Sequence, residues 1–188
     1  DKFGYDYNIN ISRASGWAQG VFKFSKIDFF LAGSVSFTQF HRDGNTKNGL
    51  FPDNSKGKGT ENEFTNYAGK AGITYKIDGR NYIFANGSYL TRAPYFENVY
   101  ISPRTRNAQQ DNVTSETIQT VEAGYIMNAT KFKIRLGGYY TRFQDGMDVM
   151  SFYHDTYQNF VNYAINGIDK LHFGGEFGLE VKVTPTIT

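Results

Sequence analysis

The sequence predicts an all-β chain whose strands pair with their neighbours as an antiparallel sheet. Fourteen Tyr, seventeen Phe and twenty Gly are present among the 188 residues. Aromatic residues favour strands, whereas Gly disfavours helices. Apolar and polar residues also alternate through most of the chain, which is the repeat of a strand with two different faces. No convincing stretch shows the longer repeat of a helix.

The alternation divides the chain into about seven or eight strands. They are predicted at about 8–25, 27–40, 65–77, 81–93, 117–127, 131–153 and 160–183. The Asp-Gly pair at 78–79 is a strong signal for a tight hairpin turn between two of them. Successive strands are therefore expected to be adjacent in one sheet.

The connections between these strands alternate in length. Short turns are predicted at 26–28, 78–80, 128–130 and 184–186, the last marked by Pro185; long polar connections at 41–64 and 93–116; and a hairpin tip at 154–159. Outer-membrane barrels have short periplasmic turns on one rim and long extracellular loops on the other. A soluble sandwich has no reason to sort its loops in this way. The pattern therefore predicts a segment of a transmembrane β-barrel with long extracellular loops.

The last strand indicates what the two faces of such a wall contact. Its apolar row is Leu171, Phe173, Phe177, Leu179, Val181 and Val183, and its other row holds His172, Glu176, Glu180 and Lys182. Rows of about 9 to 13 residues cross a bilayer when tilted, with the apolar row toward lipid and the charged row toward a wet or plugged interior. Further residues expected to face the interior are Lys70, Lys76, Glu122 and Arg135, and those expected in aromatic girdles are Trp17, Tyr75, Tyr82 and Phe132.

Two other folds remain open at this point. In a soluble or surface-attached β-sandwich that binds carbohydrate, Phe173, Phe177 and Leu179 would lie beneath a second sheet. Eight strands can also close as a small barrel. Nucleic-acid binding is disfavoured, because twenty basic residues are nearly balanced by eighteen acidic ones.

Aromatic and basic residues in the predicted loops are the candidates for ligand contact. Aromatic rings beside polar groups suit sugars, peptides or chelates held above a pore. The candidate ligand-binding residues are Phe51, Arg92, Tyr95, Phe96, Tyr100, Arg104, Arg106, Tyr153 and Tyr157. The alternative is that these side chains pack the loops together or thicken the upper aromatic belt.

No catalytic residue, metal site or cofactor is predicted. The chain has no Cys, and its histidines, His41, His154 and His172, lack carboxylates at a recognised metal spacing. His154 and Asp155 are adjacent in a strand and so point to opposite sides. The acidic residues of the first long connection, Asp43, Asp53, Glu61 and Glu63, lack the spacing of a calcium loop. We therefore predict that the chain is not an enzyme, although a barrel enzyme remains a third hypothesis.

Several stretches resemble the barrel domain of TonB-dependent outer-membrane receptors, in particular those of Bacteroidetes-type bacteria. They are NYIFANGSYLTRAPYFENVYISPRTRN at 81–107, SETIQTVEAGY at 115–125, KIRLGGYYTRFQDGMDVMSFYHD at 133–155 and FVNYAINGIDKLHFGGEFGLEVKVTPT at 160–186, with an echo in EFTNYAGKAGITYKIDGRNY at 63–82. In that family a strand ending in a TRAP-like motif opens a large extracellular loop. Strands with SE…VE.GY and G.E…KV.P patterns follow later in the barrel.

The resemblance implies a barrel of about 22 strands around an N-terminal plug, in the outer membrane of a bacterium. It also implies import of a nutrient, such as a glycan, a peptide or a metal chelate, driven by the TonB complex acting through the plug. No plug is visible in this sequence. Residues 1–188 are therefore expected to be part of the barrel domain, forming wall and extracellular vestibule. Outer-membrane lipid and a surface lipoprotein lid are the further partners implied.

Overall fold

The computed structural model describes residues 4–182 as one antiparallel sheet with almost no helix. Its elements are β1 (Tyr7–Lys23), β2 (Ile27–Gly44), β3 (Gly57–Lys58), β4 (Asn62–Lys76), β5 (Asn81–Arg92), α1 (Phe96–Val99), β6 (Glu116–Asn128), β7 (Phe132–His154) and β8 (Asn159–Val181). The eight-stranded sheet has the order β1-β2-β4-β5-β6-β7-β8, and β3 pairs with β2. Within the described residues β1 and β8 are its two open edges. The predicted all-β antiparallel fold is confirmed.

The first long connection is shorter than predicted. β2 continues to Gly44, β3 pairs with it through Asp43 and Lys58, and β4 begins at Asn62. These strand ends carry polar residues on both faces, so the alternation that reveals a strand in the sequence is lost there. The helix α1 has four residues, too few to show a helical repeat. Val183 and the turn predicted around Pro185 lie outside the described residues.

One face of the sheet is apolar and uncovered. Residues paired across antiparallel strands lie on the same face, and the register pairs Tyr140 with Phe173 and Leu136 with Phe177. Phe173 is 75% exposed and Phe177 is 67% exposed. Within residues 4–182 no second layer covers these rings, so the sandwich alternative is wrong. We call this side the apolar face.

The opposite side, the charged face, bears the residues predicted to face a barrel interior. Lys133 pairs with Glu180 in register, and the Arg135 guanidinium lies 2.9 Å from the Glu122 carboxylate. The other predicted members are Lys70, Lys76 and Glu176, which alternate with residues of the apolar face. Exposed ion pairs of this kind add less than about 1 kcal/mol each, so they contribute little to the stability of the sheet.

Two of the four predicted girdle residues lie on the charged face instead. Trp17 pairs with Ser34, and Tyr82 pairs with Lys76. Tyr75 lies on the apolar face as expected, because it pairs with Ile83. In most of β1 the alternation is inverted relative to the other strands: Ile9, Ile11, Trp17 and Val21 are on the charged face, and Ala14, Gly16, Ala18 and Gly20 are on the apolar face, where Phe22 is the large residue. Such an inversion follows from register and cannot be seen in a single strand.

Dense packing occurs at one end of the strands. The short connections 24–26, 77–80 and 129–131 define the turn end, and 45–61, 93–115 and 155–158 define the loop end. Buried Phe40, Phe96, Val99 and Tyr100 form a cluster at the loop end, against which Tyr7, Phe64 and Val113 pack. Since Phe40 and Phe64 are on the charged face, the segment 93–115, called the long loop below, folds over that face. No helix among residues 4–182 has the length and apolarity needed to cross a bilayer.

Candidate ligand-binding site

The long loop is attached to the sheet where β7 is irregular. The β7–β8 register shifts between Phe143 and Asp148, and a bulge of this kind leaves backbone groups without ladder partners. The Asn98 side-chain amide donates to the Met147 carbonyl at 2.7 Å, and the Gln110 amide donates to the Asp148 carbonyl at 3.0 Å. The bulge therefore supplies the acceptors that hold the loop over the charged face.

Arg42 connects this loop to the first connection. Its side chain is 2% exposed, and its Nε donates to the Pro103 carbonyl at 2.6 Å. Nη1 donates to the Ser55 carbonyl at 2.9 Å and to Asn107 Oδ1 at 2.7 Å. Its guanidinium also lies 5.0 Å from the centre of the Tyr7 ring. A buried polar group is costly unless its donors are hydrogen-bonded. These hydrogen bonds to neutral oxygens from both loops therefore fix the relative positions of the loops.

Phe96 and Tyr100, two candidate ligand-binding residues, help to build the loop core. Their rings stack with a centroid separation of 4.5 Å. The Tyr100 hydroxyl accepts from the Arg42 backbone N–H at 3.1 Å and donates to the Thr60 carbonyl at 3.3 Å. Tyr100 is 0% exposed and has no surface for a ligand in this structure. Phe96 is 7% exposed.

Arg92 and Tyr95 lie together beside this core and remain accessible. Arg92 pairs with Glu116 in the β5–β6 register and forms an ion pair with its carboxylate. Its guanidinium lies 5.1 Å from the centre of the Tyr95 ring, a cation–π arrangement. Tyr95 is 60% exposed. The two side chains thus form a polar and aromatic rim at the start of the long loop.

The other predicted residues form separate groups at the loop end. Arg106 lies 4.4 Å from the centre of the Phe51 ring, and its buried Nε has no hydrogen-bond partner among the described residues. Arg104 lies 5.1 Å from the centre of the Tyr5 ring. Tyr153 and Tyr157 are exposed on the β7–β8 hairpin. The structure therefore brings together four of the nine candidates, in and beside the loop core.

A cavity of about 480 Å³ lies between the start of the long loop and the charged face of β1, β2, β4 and β5. Its hydroxyl and amide residues include Ser34, Ser36, Thr38, Asn66 and Thr91; its cations are Arg13, Lys70 and Arg92; and its aromatic residues are Phe40, Tyr67, Tyr95 and Phe96. Sequence reasoning identified Arg92, Tyr95 and Phe96 and placed Lys70 in the interior. It missed the serines and Asn66, whose only signal was their place in a polar row, and Arg13, which lies in a row with the apolar Ile11 and Trp17.

Asn66 is notable among the cavity residues because it is polar and buried. It is 3% exposed, and its side-chain oxygen has no hydrogen-bond partner among the described residues. Leaving a buried acceptor unpaired costs about 1–3 kcal/mol. An unpaired amide at a cavity wall is expected where a bound molecule or ordered water supplies the partner.

The acidic and histidine residues that the structure describes form small separate groups. Glu61 lies 2.9 Å from the Lys58 ammonium and 3.6 Å from His41, and the hydrogen bond from Lys58 lowers the pKa of this carboxyl. His154 packs on the Tyr157 ring, whereas His172 packs edge-on against Phe143. Within residues 4–182 no group of three or more His, Cys, Asp or Glu is placed to hold a metal ion.

An open antiparallel sheet with one exposed apolar face, one charged face and loops folded over the charged side is the wall of an outer-membrane β-barrel. The sequence matches the family model described as "TonB dependent receptor-like, beta-barrel" over residues 2–182. The chain therefore belongs to this family, and its place is the bacterial outer membrane. No curated protein shows significant similarity to the sequence.

Among solved structures, the fold is similar to that described as "Copper transporter OprC". The TM-score is 0.69 at 14% sequence identity, and the match covers 93% of this chain and 26% of that one. At this identity the similarity shows the fold alone. The chain thus spans about a quarter of that transporter. The predicted family, fold class and location are confirmed, whereas the Bacteroidetes type stays a prediction.

Proposed function

We propose that residues 1–188 form part of the barrel domain of a TonB-dependent importer and contribute wall and extracellular vestibule to it. The observation that carries this proposal is the position of the cavity. It lies on the charged face, beneath a loop at the rim opposite the short turns. In a barrel of this family that face lines the interior. A molecule entering from outside would therefore reach the cavity before it reaches the part of the interior near the short turns.

The whole protein's activity is active uptake of a nutrient, with a glycan, a peptide or a metal chelate as the classes to test. Arg92 and Tyr95, with Phe51, Arg104, Arg106, Tyr153 and Tyr157 elsewhere at the loop end, are proposed to contact the nutrient. Phe96 and Tyr100 are proposed to hold the loop in place. The copper named for the similar transporter is one further candidate substrate. It has no priority over the others, because only the fold is shared with that protein.

The partners proposed are those on which such an import depends. Unpaired backbone groups at the edges of β1 and β8 are costly in hydrocarbon, so further strands of the same barrel are expected beside them. A plug inside the barrel would contact the charged face and transmit the action of the TonB complex. A surface lipoprotein lid would cover the loop end, and lipid would cover the apolar face. Receptors and transporters of this family need no catalytic residue, and none is proposed.

The test is uptake by cells that produce the full-length parent protein. Labelled glycans, peptides and metal chelates, with copper as a separate arm, are offered to cells with and without a functional TonB complex. We expect accumulation of one class, lost when the complex is deleted or the proton gradient is collapsed. Recovery of the parent protein in the aqueous fraction without detergent, or uptake that does not depend on TonB, would contradict the proposal.

A further inference from the structure

We propose that the cavity under the start of the long loop binds a hydroxylated carboxylate, a claim that rests on the proposed import function. Its volume of about 480 Å³ is in the range of small-molecule sites. Such a ligand carries a negative charge and several hydroxyl groups. Two sources share this chemistry: an acidic saccharide, and the polycarboxylate part of a metal chelate.

The charge of the cavity favours an anion. Arg13, Lys70 and Arg92 line it, and no Asp or Glu is among its described lining residues. Arg92 is already paired with Glu116. Neither Arg13 nor Lys70 has a carboxylate within ion-pair distance in the part of the chain that the structure describes. These two exposed cations, on β1 and β4, are therefore available to a carboxylate, with which they would form charge-assisted hydrogen bonds roughly twice as strong as neutral ones.

Short polar side chains between these cations favour hydroxyl groups. Ser36 pairs with Asn66 in the β2–β4 register, and Ser34 is two residues away on the same face. The short side chains of the two serines leave space for a ligand between the sheet and the long loop. Asn66 lines the cavity, and its side-chain oxygen has no hydrogen-bond partner among the described residues. A ligand hydroxyl would satisfy that oxygen, whereas an apolar molecule would leave it unpaired.

An aromatic surface completes the site. Tyr95 is 60% exposed even though the Arg92 guanidinium covers part of its ring. The next residue in the chain, Phe96, is buried against Phe40 with ring centroids 6.1 Å apart. The exposed ring of Tyr95 offers an apolar surface to a sugar ring or to the methylene groups of a polycarboxylate.

Calorimetry on the full-length parent protein in detergent tests the assignment. The probes are a galacturonate oligosaccharide, a neutral oligosaccharide of equal length, and iron(III) citrate. We expect one acidic probe to bind and the neutral sugar to bind at least about tenfold more weakly. The acidic probe that binds identifies the source. In the double variant Arg13→Gln and Lys70→Gln, affinity for that probe should fall by about ten- to a hundredfold.

The matched control is Arg80→Gln, which removes a cation from the exposed turn between β4 and β5 at the opposite end of the strands. It should leave the affinity unchanged. Asn66→Ala is a second variant, and it should lower the affinity for the acidic probe. The barrel of this variant should still be folded, which is checked by its heat-dependent shift in gel electrophoresis. Equal binding of neutral and acidic probes, or unchanged affinity in the double variant, would overturn the assignment.

Three further outcomes separate this inference from its alternatives. If the double variant binds the acidic probe normally but loosens the plug, measured by cross-linking, these residues contact the plug and the inference fails. TonB-dependent uptake of a neutral nutrient, unaffected by the double variant, would overturn the cavity assignment and leave the proposed function intact. Uptake that does not need TonB would instead overturn the proposed function.

Discussion

Arg42 on β2 donates to the side-chain oxygen of Asn107 in the long loop at 2.7 Å, across 65 residues of sequence. The same guanidinium reaches the Ser55 carbonyl at 2.9 Å. Gly44 makes this approach feasible, because a Cβ there would lie 1.8 Å from the Ser55 oxygen. The loop end of the wall is therefore a folded unit organised around the buried Arg42 guanidinium.

Replacing that cation should loosen both loops while leaving the membrane strands intact. Arg42→Met removes the guanidinium that donates to Pro103, Ser55 and Asn107. Each hydrogen bond to a charged group is worth about 1.5–3 kcal/mol. We expect faster amide exchange and protease cleavage within 45–56 and 99–110 of the full-length protein. Arg104→Met, which removes an exposed arginine of the same loop, is the control. Equal protection in both variants would show that Arg42 does not organise the loops.

The apolar face should reject a charge that the charged face accepts. Phe177→Lys places an ammonium toward lipid, at a cost of about 2–4 kcal/mol near the bilayer midplane. The adjacent Glu176→Lys places the same group on the other face of the same strand. We expect the first variant to lower the yield of heat-modifiable barrel in the outer membrane several-fold and the second to leave it nearly unchanged. Similar yields for the two would contradict the assignment of the faces.

Trp17 should avoid lipid, although its residue type is typical of an interface girdle. It shares a face with Ser34, whereas Leu31 on the neighbouring strand lies on the apolar face. Nitroxide labels at Trp17→Cys and Leu31→Cys report this difference in reconstituted full-length protein. Oxygen, which concentrates in lipid, should relax the label at position 31 much more than the label at 17. A stronger oxygen effect at 17 would mean that the β1 register is different.

The hydrogen bonds to the Asp78 carboxylate in the turn between β4 and β5 should persist in mild acid. The backbone N–H of Arg80 donates to this carboxylate at 2.7 Å, and Asn81 donates through its backbone and side chain at 2.8 and 2.7 Å. These hydrogen bonds hold the pKa of Asp78 below its usual value of 3.8. Because the folded pKa is depressed, the stabilisation is present above that usual value and disappears as the pH falls through the folded pKa.

Amide exchange at Arg80 and Asn81 measures this effect. In Asp78→Asn the exchange should be faster than in the parent protein at neutral pH, and the difference should close in strong acid. Asp155→Asn at the β7–β8 hairpin is the control. A difference that persists at a pH well below the folded pKa would show that hydrogen bonding to the ionised carboxylate is not what stabilises the turn.

Much of the wall could be predicted from the sequence because lipid imposes a repeat of two on each strand. Phe173, Phe177 and Leu179 could be assigned to one face before any coordinates, since each alternates with a polar or small residue. The ends of β2 and β4 could not, because strands beyond the bilayer are wetted on both faces and lose that alternation. Of the cavity, Arg92 and Tyr95 were recognisable as loop residues with suitable chemistry. Arg13, Ser36 and Asn66 were not, because nothing in a single strand shows which polar residues are brought beneath a distant loop.

A set of two-faced antiparallel strands with connections of alternating length could be predicted before any coordinates, since these properties depend on neighbours along the chain. The face of β1 that carries Trp17, the packing of Phe96 and Tyr100 inside a loop core, and the role of Arg42 between two loops became clear from the folded structure. Those features depend on strand register and on contacts between residues tens of positions apart. No local pattern of side chains encodes such contacts.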